Sequence, residues 1–191
     1  MVVGIIAVQG AVQNHADAFA RLNVETVLVK QPHQLADVDA LVLPGGESTT
    51  MSMLLARSLL FDPIAKLLED GVPALGTCAG MILLATDVLD GRADQRNFGA
   101  IDMSVRRNAW GRQVDSFETE LTVDGLDGDF HAVFIRAPRV ERVGDDVEVL
   151  AAIDNEPVLC RSGSIVVSSF HPELSGDLRI HQLFLEGVGL S

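Results

Sequence analysis

The stretch Val72-Pro73-Ala74-Leu75-Gly76-Thr77-Cys78-Ala79-Gly80-Met81-Ile82-Leu83-Leu84-Ala85 constrains this chain more than any other. A short apolar run breaks at a turn of small residues and resumes as an apolar helix, with Cys78 at the break. A Gly-x-Cys-x-Gly turn between strand and helix is the thiol counterpart of the Gly-x-Ser-x-Gly nucleophile elbow, whose glycines let the backbone turn sharply and keep Cβ atoms away from the reacting group. Such a turn displays the sulfur. It also sets Cys78 at the positive end of the helix dipole, a setting that favours a thiolate. A lone cysteine beside a core strand is ordinarily a small buried hydrophobe. Gly76 and Gly80 on either side point instead to a nucleophile.

The rest of the chain supplies a frame for that elbow. Residues 2–8 form an aliphatic run of the kind buried on both faces of a parallel sheet, ending at Gln9-Gly10. Residues 11–22 follow helical spacing, with His15 as an ordinary helix residue, and 24–29 read as the next strand. Residues 40–43 form another buried strand that runs into Pro44-Gly45-Gly46-Glu47-Ser48-Thr49-Thr50 and a helix over 51–55. A helix over 61–69 closes at Gly71. Alternating strands and helices indicate βαβ units and a doubly wound, mainly parallel, flavodoxin-like α/β sheet with helices on both faces. After about residue 87 the runs shorten to 98–105, 114–123, 130–135, 147–153, 158–160 and 165–170, separated by turn dipeptides such as Asp124-Gly125. These read as added antiparallel strands and hairpins, and a helix over 178–188 closes the chain. With 191 residues, 48% of them hydrophobic, and no repeat or linker, residues 1–191 are expected to form a single domain.

Composition narrows the partners. A formal net charge of -13 argues against nucleic acid or an anionic membrane, since binding either depends on Lys and Arg neutralising phosphates. The longest apolar stretch is too short and too broken by glycine to span a bilayer. Two cysteines, Cys78 and Cys160, do not make a disulfide framework, which fits a reducing, cytoplasmic setting.

Two further places carry chemistry. In Ser169-Phe170-His171-Pro172-Glu173, after a β-branched strand, His171 and Glu173 lie two residues apart. In extended backbone that spacing puts both side chains on one face, so the carboxylate can hold the imidazole in one tautomer while its other nitrogen meets a nucleophile. No His-Glu-x-x-His or paired Cys-x-x-Cys signature accompanies them, so no metal is expected. The corner Pro44-Gly45-Gly46-Glu47-Ser48 leads to a helix N-terminus but lacks the lysine of a phosphate loop. Its glycine peptide, Gly45-Gly46, suits an oxyanion instead, paired with the N–H of Ala79.

Together these residues resemble the triad-type, class I glutamine amidotransferases. Gly76-Thr77-Cys78-Ala79-Gly80 with His171-Pro172-Glu173 carries the likeness. Leu43-Pro44-Gly45-Gly46-Glu47-Ser48-Thr49-Thr50, the stretch from Arg107-Asn108 through Trp110 to Glu118, and Phe134-Ile135-Arg136-Ala137-Pro138 are similar to the glutaminase subunits of ribose 5-phosphate-dependent pyridoxal 5'-phosphate synthases. The resemblance implies a Cys78-His171-Glu173 triad and an L-glutamine site made from Gly46, Glu47, Ser48, Arg107, Ile135 and Arg136. It further implies no cofactor, and a synthase subunit as the partner that receives ammonia. Free glutamine carries an α-carboxylate and an α-ammonium, so Arg107 or Arg136 and Glu47 suit its two ends. A cysteine hydrolase or redox sensor built on the same elbow would leave the His-Pro-Glu and Arg-Asn stretches without a purpose.

Overall fold

The computed structural model describes residues 1–107 and 116–189. Trp110 and most of the Arg107–Glu118 stretch lie outside the described residues, as do Val114 and Asp115 of the expected strand over 114–123. The first half of the chain runs β1 (Val2–Ile6), α1 (Val12–Arg21), β2 (Glu25–Val29), β3 (Ala40–Leu43), α2 (Ser48–Arg57), α3 (Phe61–Glu69), β4 (Ala74–Thr77) and α4 (Ala79–Leu84). The strands β5 (Ala85–Val88), β6 (Ile101–Arg106), β7 (Ser116–Leu121), β8 (Phe130–Ile135) and β9 (Arg139–Val143) follow. The chain closes with β10 (Glu148–Ile153), β11 (Glu156–Ser162), β12 (Ile165–Ser168) and α5 (Arg179–Gly187).

Seven strands form the central sheet in the order β10-β11-β12-β4-β3-β1-β2. The five from β12 to β2 are mutually parallel, and β11 and β10 extend that edge antiparallel. Residues 165–170, expected among antiparallel strands, therefore enter the parallel core: β12 pairs antiparallel with β11 on one side and parallel with β4 on the other. Its neighbours are decided by long-range pairing, which a run of β-branched residues does not encode. The expected antiparallel strand over 98–105 appears as β6, which pairs antiparallel with β9 but parallel with β5, a strand outside the expected runs, while β7 and β8 form a separate hairpin.

Period-two alternation divides the sheet between two cores. Leu41 and Leu43 of β3 join Ile6 and Val167 against Met51, Leu55 and Ile64 of α2 and α3. Ala40 and Val42 face the other way with Val3, Ile5 and Val166, against Phe19 of α1, Phe184 of α5 and Phe134 of the hairpin. Both faces are thus dry, as the aliphatic runs required. α2 starts three residues earlier than the sequence pattern indicated, because the Glu47 carboxylate caps it by accepting from the N–H groups of Thr49 (3.1 Å) and Thr50 (2.7 Å). Among the described residues no helix is long and apolar enough to cross a membrane.

Candidate active site

Cys78 follows directly on β4 at the carboxyl edge of the sheet, where open α/β sheets build their sites. Its backbone is held at φ 50°, ψ -102°, a region that residues with a Cβ rarely occupy. The surroundings fix it there: its N–H donates to the carbonyl of Ser168 at 2.8 Å, and its own carbonyl accepts from Ile82 at 3.3 Å. The flanking glycines are needed for close packing rather than for backbone freedom. A Cβ on Gly80 would run into the carbonyl oxygen of Leu43 on β3, and one on Gly76 would meet the Gly80 carbonyl at 2.8 Å. Sγ lies 3.9 Å from the carbonyl of Ile135 at the end of β8.

His171 arrives from β12, the parallel neighbour of β4. Its N–H donates to the carbonyl of Val133 at 2.8 Å, tying the segment to β8. The residues after it are not extended. Pro172 opens a short 3-10 turn, Pro172–Leu174, so His171 and Glu173 meet across a turn instead of along one strand face. The pairing survives this change: Nδ1 of His171 lies 2.8 Å from Oε1 of Glu173, whose side chain is entirely buried. Burial by itself lowers His171, but the bonds to Cys78 and Glu173 outweigh it and hold the imidazole's pKa up at about 10. Burial would raise the Glu173 carboxyl, but His171 and then His15 overcome it and keep it below its ordinary range.

Cys78 and His171 open onto a cavity of about 440 Å³, whose lining also includes Gly45, Gly46, Glu47, Ser48, Arg107, Ile135 and Arg136. Every glutamine-site residue expected from the sequence is therefore in one place. Ala79 is the first residue of α4, where helix geometry leaves N–H groups without intrahelical partners. Gly45 is packed so tightly that a Cβ there would stand 2.9 Å from Nδ1 of His171 and 3.4 Å from Cβ of Cys78. Its carbonyl accepts from the N–H of Ala11 at 3.3 Å.

Residues 5–189 match the SNO glutamine amidotransferase family. The chain belongs to that family. It is 56% identical over 186 residues to the pyridoxal 5'-phosphate synthase subunit PdxT of Mycobacteroides abscessus, an alignment covering 97% of this chain and 96% of the relative. It is 55% identical to the protein of the same name from Frankia alni, with 97% and 94% covered. A crystal structure of a glutamine amidotransferase, 46% identical, superposes with a TM-score of 0.93 over the whole of both chains. The structure of PurLQS from Thermotoga maritima, 19% identical with a TM-score of 0.65, covers 97% of this chain and 96% of that one, and shares the fold.

Within this member of the amidotransferase family the charges at the pocket are arranged differently from the simplest expectation. Glu47 and Arg107 pair with each other at 2.8 Å. Burial would raise Glu47, but its helix-capping bonds to Thr50 and Thr49, with Arg107 beside them, hold its carboxyl below its ordinary range. Arg136, at φ 44°, has no carboxylate partner among the described residues. Gln9, Gly10 and Ala11 also line the pocket, and Oε1 of Gln9 accepts from the N–H of Glu47 at 3.3 Å. The end of β1 beside β3 was a signal for them, since ligands gather where strand order reverses.

His15 is the larger omission. It is no ordinary helix residue: it is fully buried, with Nε2 3.2 Å from Oγ1 of Thr77 and 3.5 Å from Oε2 of Glu173. Its Nδ1 lies 3.0 Å from Nε2 of His181 on α5. Helical spacing placed His15 on an inward face, but nothing local announced its neighbours, which stand 62, 158 and 166 positions away in the chain.

Proposed function

We propose that the chain hydrolyses L-glutamine to L-glutamate and ammonia at a Cys78-His171-Glu173 triad, and that the ammonia feeds a pyridoxal 5'-phosphate synthase subunit. The observation that carries this reading is the elbow sulfur sharing a cavity with an imidazole whose far nitrogen is bonded to a buried carboxylate. The Cys78 thiolate attacks the side-chain amide carbon, and the resulting oxyanion is met by the N–H of Ala79 and an N–H of the Gly45-Gly46 corner. His171, which holds its proton readily, gives it to the leaving ammonia. A γ-glutamyl thioester remains. His171 then takes a proton from water, hydroxide releases glutamate, and Glu173 orients the ring and stabilises its cation throughout.

Substrate recognition follows from the lining. Arg136, without a carboxylate partner among the described residues, suits the glutamine α-carboxylate, and Glu47 the α-ammonium, with Arg107 tethering Glu47; Gly46, Ser48 and the backbone of Ile135 complete the contacts. Residues 1–191 act as one domain, supported by a central sheet that draws strands from both halves of the chain. Ammonia released to bulk water is protonated and loses its nucleophilic lone pair, so a synthase docked over the site is required, in keeping with the relatives named as synthase subunits. Partner contact also controls the site. Among the described residues the Gly45-Gly46 peptide is anchored by the long bond from Ala11 to the Gly45 carbonyl, so its orientation can be reset at small cost.

The test is glutamate release with and without saturating synthase subunit. The complex is expected to turn over glutamine far faster than the chain alone, and Cys78→Ala to abolish release in both while the protein stays folded and binds glutamine. Turnover by Cys78→Ala at the wild-type rate refutes the triad; equal rates with and without the partner refute the control.

A further inference from the structure

Glu173 has two carboxylate oxygens, and the triad accounts for one. Oε1 accepts from His171; Oε2 is buried and has no hydrogen-bond partner within normal geometry among the described residues. A buried carboxylate oxygen left bare is costly, and it also leaves the carboxylate free to rotate away from the imidazole it should hold. At ion-pair distance from Oε2, 3.5 Å, stands Nε2 of His15.

The proton positions on His15 follow from its neighbours. If Nε2 were bare, two acceptors would face each other across 3.5 Å without a proton between them. Nδ1 of His15 would then donate to Nε2 of His181, and the other nitrogen of His181 would carry its proton into a place where it has no partner among the described residues. If Nε2 carries the proton, it meets Oγ1 of Thr77 at 3.2 Å with Oε2 of Glu173 close beside it at 3.5 Å, and both oxygens can accept. His181 then donates its Nε2–H to Nδ1 of His15, and its own Nδ1 is a buried lone pair without a partner among the described residues. The second arrangement puts a proton between the two facing acceptors and leaves His181 with a bare lone pair in place of an unpartnered N–H.

We propose that His15 is a positioning residue for glutamine hydrolysis: its Nε2–H holds the second oxygen of Glu173, and His181 fixes the tautomer that makes this possible. The proposal rests on the reading of Cys78, His171 and Glu173 as the catalytic set. The relay then runs from the sulfur through His171 and Glu173 to His15 and His181, crossing from the loop after β12 to α1 and α5. Burial lowers the pKa of both outer histidines, His181 to about 3, so near neutral pH each orients through its ring N–H dipole. His15 is not part of the cavity lining, so its effect belongs to turnover and not to glutamine affinity. Thr77, immediately before the nucleophile, shares the same N–H and ties the relay to the elbow.

Two measurements test this. In the intact wild-type chain, labelled with nitrogen-15 at histidine, the ring shifts of His15 are expected to report the neutral Nε2–H tautomer at pH 7; the Nδ1–H tautomer would overturn the proposal without any variant having to fold. In the complex with its synthase subunit, His15→Leu is expected to lower kcat roughly 10- to 100-fold, as for loss of a hydrogen bond to a buried charge, with KM within about twofold. His15→Gln, whose amide N–H reaches toward the Nε2 position, should restore most of that loss. Wild-type kcat in folded His15→Leu, or equal losses in the Leu and Gln variants, would refute it. In a Glu173→Gln background His15→Leu should cost little more, and a full independent loss would show that His15 does not act through Glu173. If Glu173→Gln alone keeps the wild-type rate, the triad reading has failed, while the tautomer measurement still decides the hydrogen bond.

Discussion

Gly45→Ala isolates the geometry on which the chemistry depends. The φ of Gly45 lies outside the left-handed region, so alanine suffers no backbone penalty and the effect is steric. The added methyl would stand 2.9 Å from Nδ1 of His171 and closer still to Cε1. Ordinary contact begins near 3.4 Å, so the ring must withdraw by about 0.5 Å at Nδ1 (3.4 - 2.9) and further at Cε1. It cannot step aside freely, because Nδ1 is bonded to Glu173 at 2.8 Å and the His171 N–H is fixed to Val133. Misplacing a catalytic group by about 1 Å costs roughly 100-fold, or about 2.7 kcal/mol in the barrier. We expect kcat for glutamate release, measured with saturating synthase subunit, to fall by about that factor. Gly46→Ala is the control: its methyl meets the sulfur of Met51 at 3.0 Å and Oε1 of Gln9 at 3.5 Å, both ends of side chains that can move, so the loss should be at least tenfold smaller. A Gly45→Ala enzyme at the wild-type rate would refute the packing argument. Equal losses at the two glycines would mean that backbone freedom, and not the position of His171, governs the rate.

Three other outcomes follow from the same geometry. His171→Ala should cost more turnover than Glu173→Gln, by roughly tenfold to a hundredfold, because one moves protons and the other orients; the reverse order in single-turnover kinetics would exchange their roles. Iodoacetamide should label Cys78, which opens onto the cavity, well before Cys160, which is fully buried and whose thiol burial pushes up to about 12; peptide mass spectrometry finding Cys160 first would contradict this. The third concerns acid. The pKa of His181 is lowered on folding from 6.5 to about 3, so the unfolded chain binds the extra proton between those values and stability falls as pH drops through that window. This group alone should remove about 2 kcal/mol between pH 7 and pH 5, with His15 acting in the same sense. Denaturant melts of the wild type and of His181→Leu should show the dependence reduced in the variant; identical slopes would mean that His181 is not held neutral.

Local patterns determined a large part of this protein. The small-residue break at Gly76-Thr77-Cys78-Ala79-Gly80, set between an apolar strand and an apolar helix, pointed to an elbow, and a Cβ at Gly76 or Gly80 would clash where the helix packs against the strands. The aliphatic runs in β1 and β3 likewise required a sheet covered on both faces. The His-Pro-Glu segment named the imidazole and its carboxylate, although Pro172 joins them through a turn that an extended reading missed. Tertiary structure alone decided the rest. Glu47 and Arg107 pair across 60 positions, which no local signal could reveal. β12 lies beside β4 through hydrogen bonds between strands about ninety positions apart, and that pairing brings His171 to Cys78. His15 looked ordinary for the same reason: helical periodicity tells which side of a helix is buried, but the groups waiting there, Thr77, Glu173 and His181, arrive from three other elements, and a buried histidine acquires its chemistry from them.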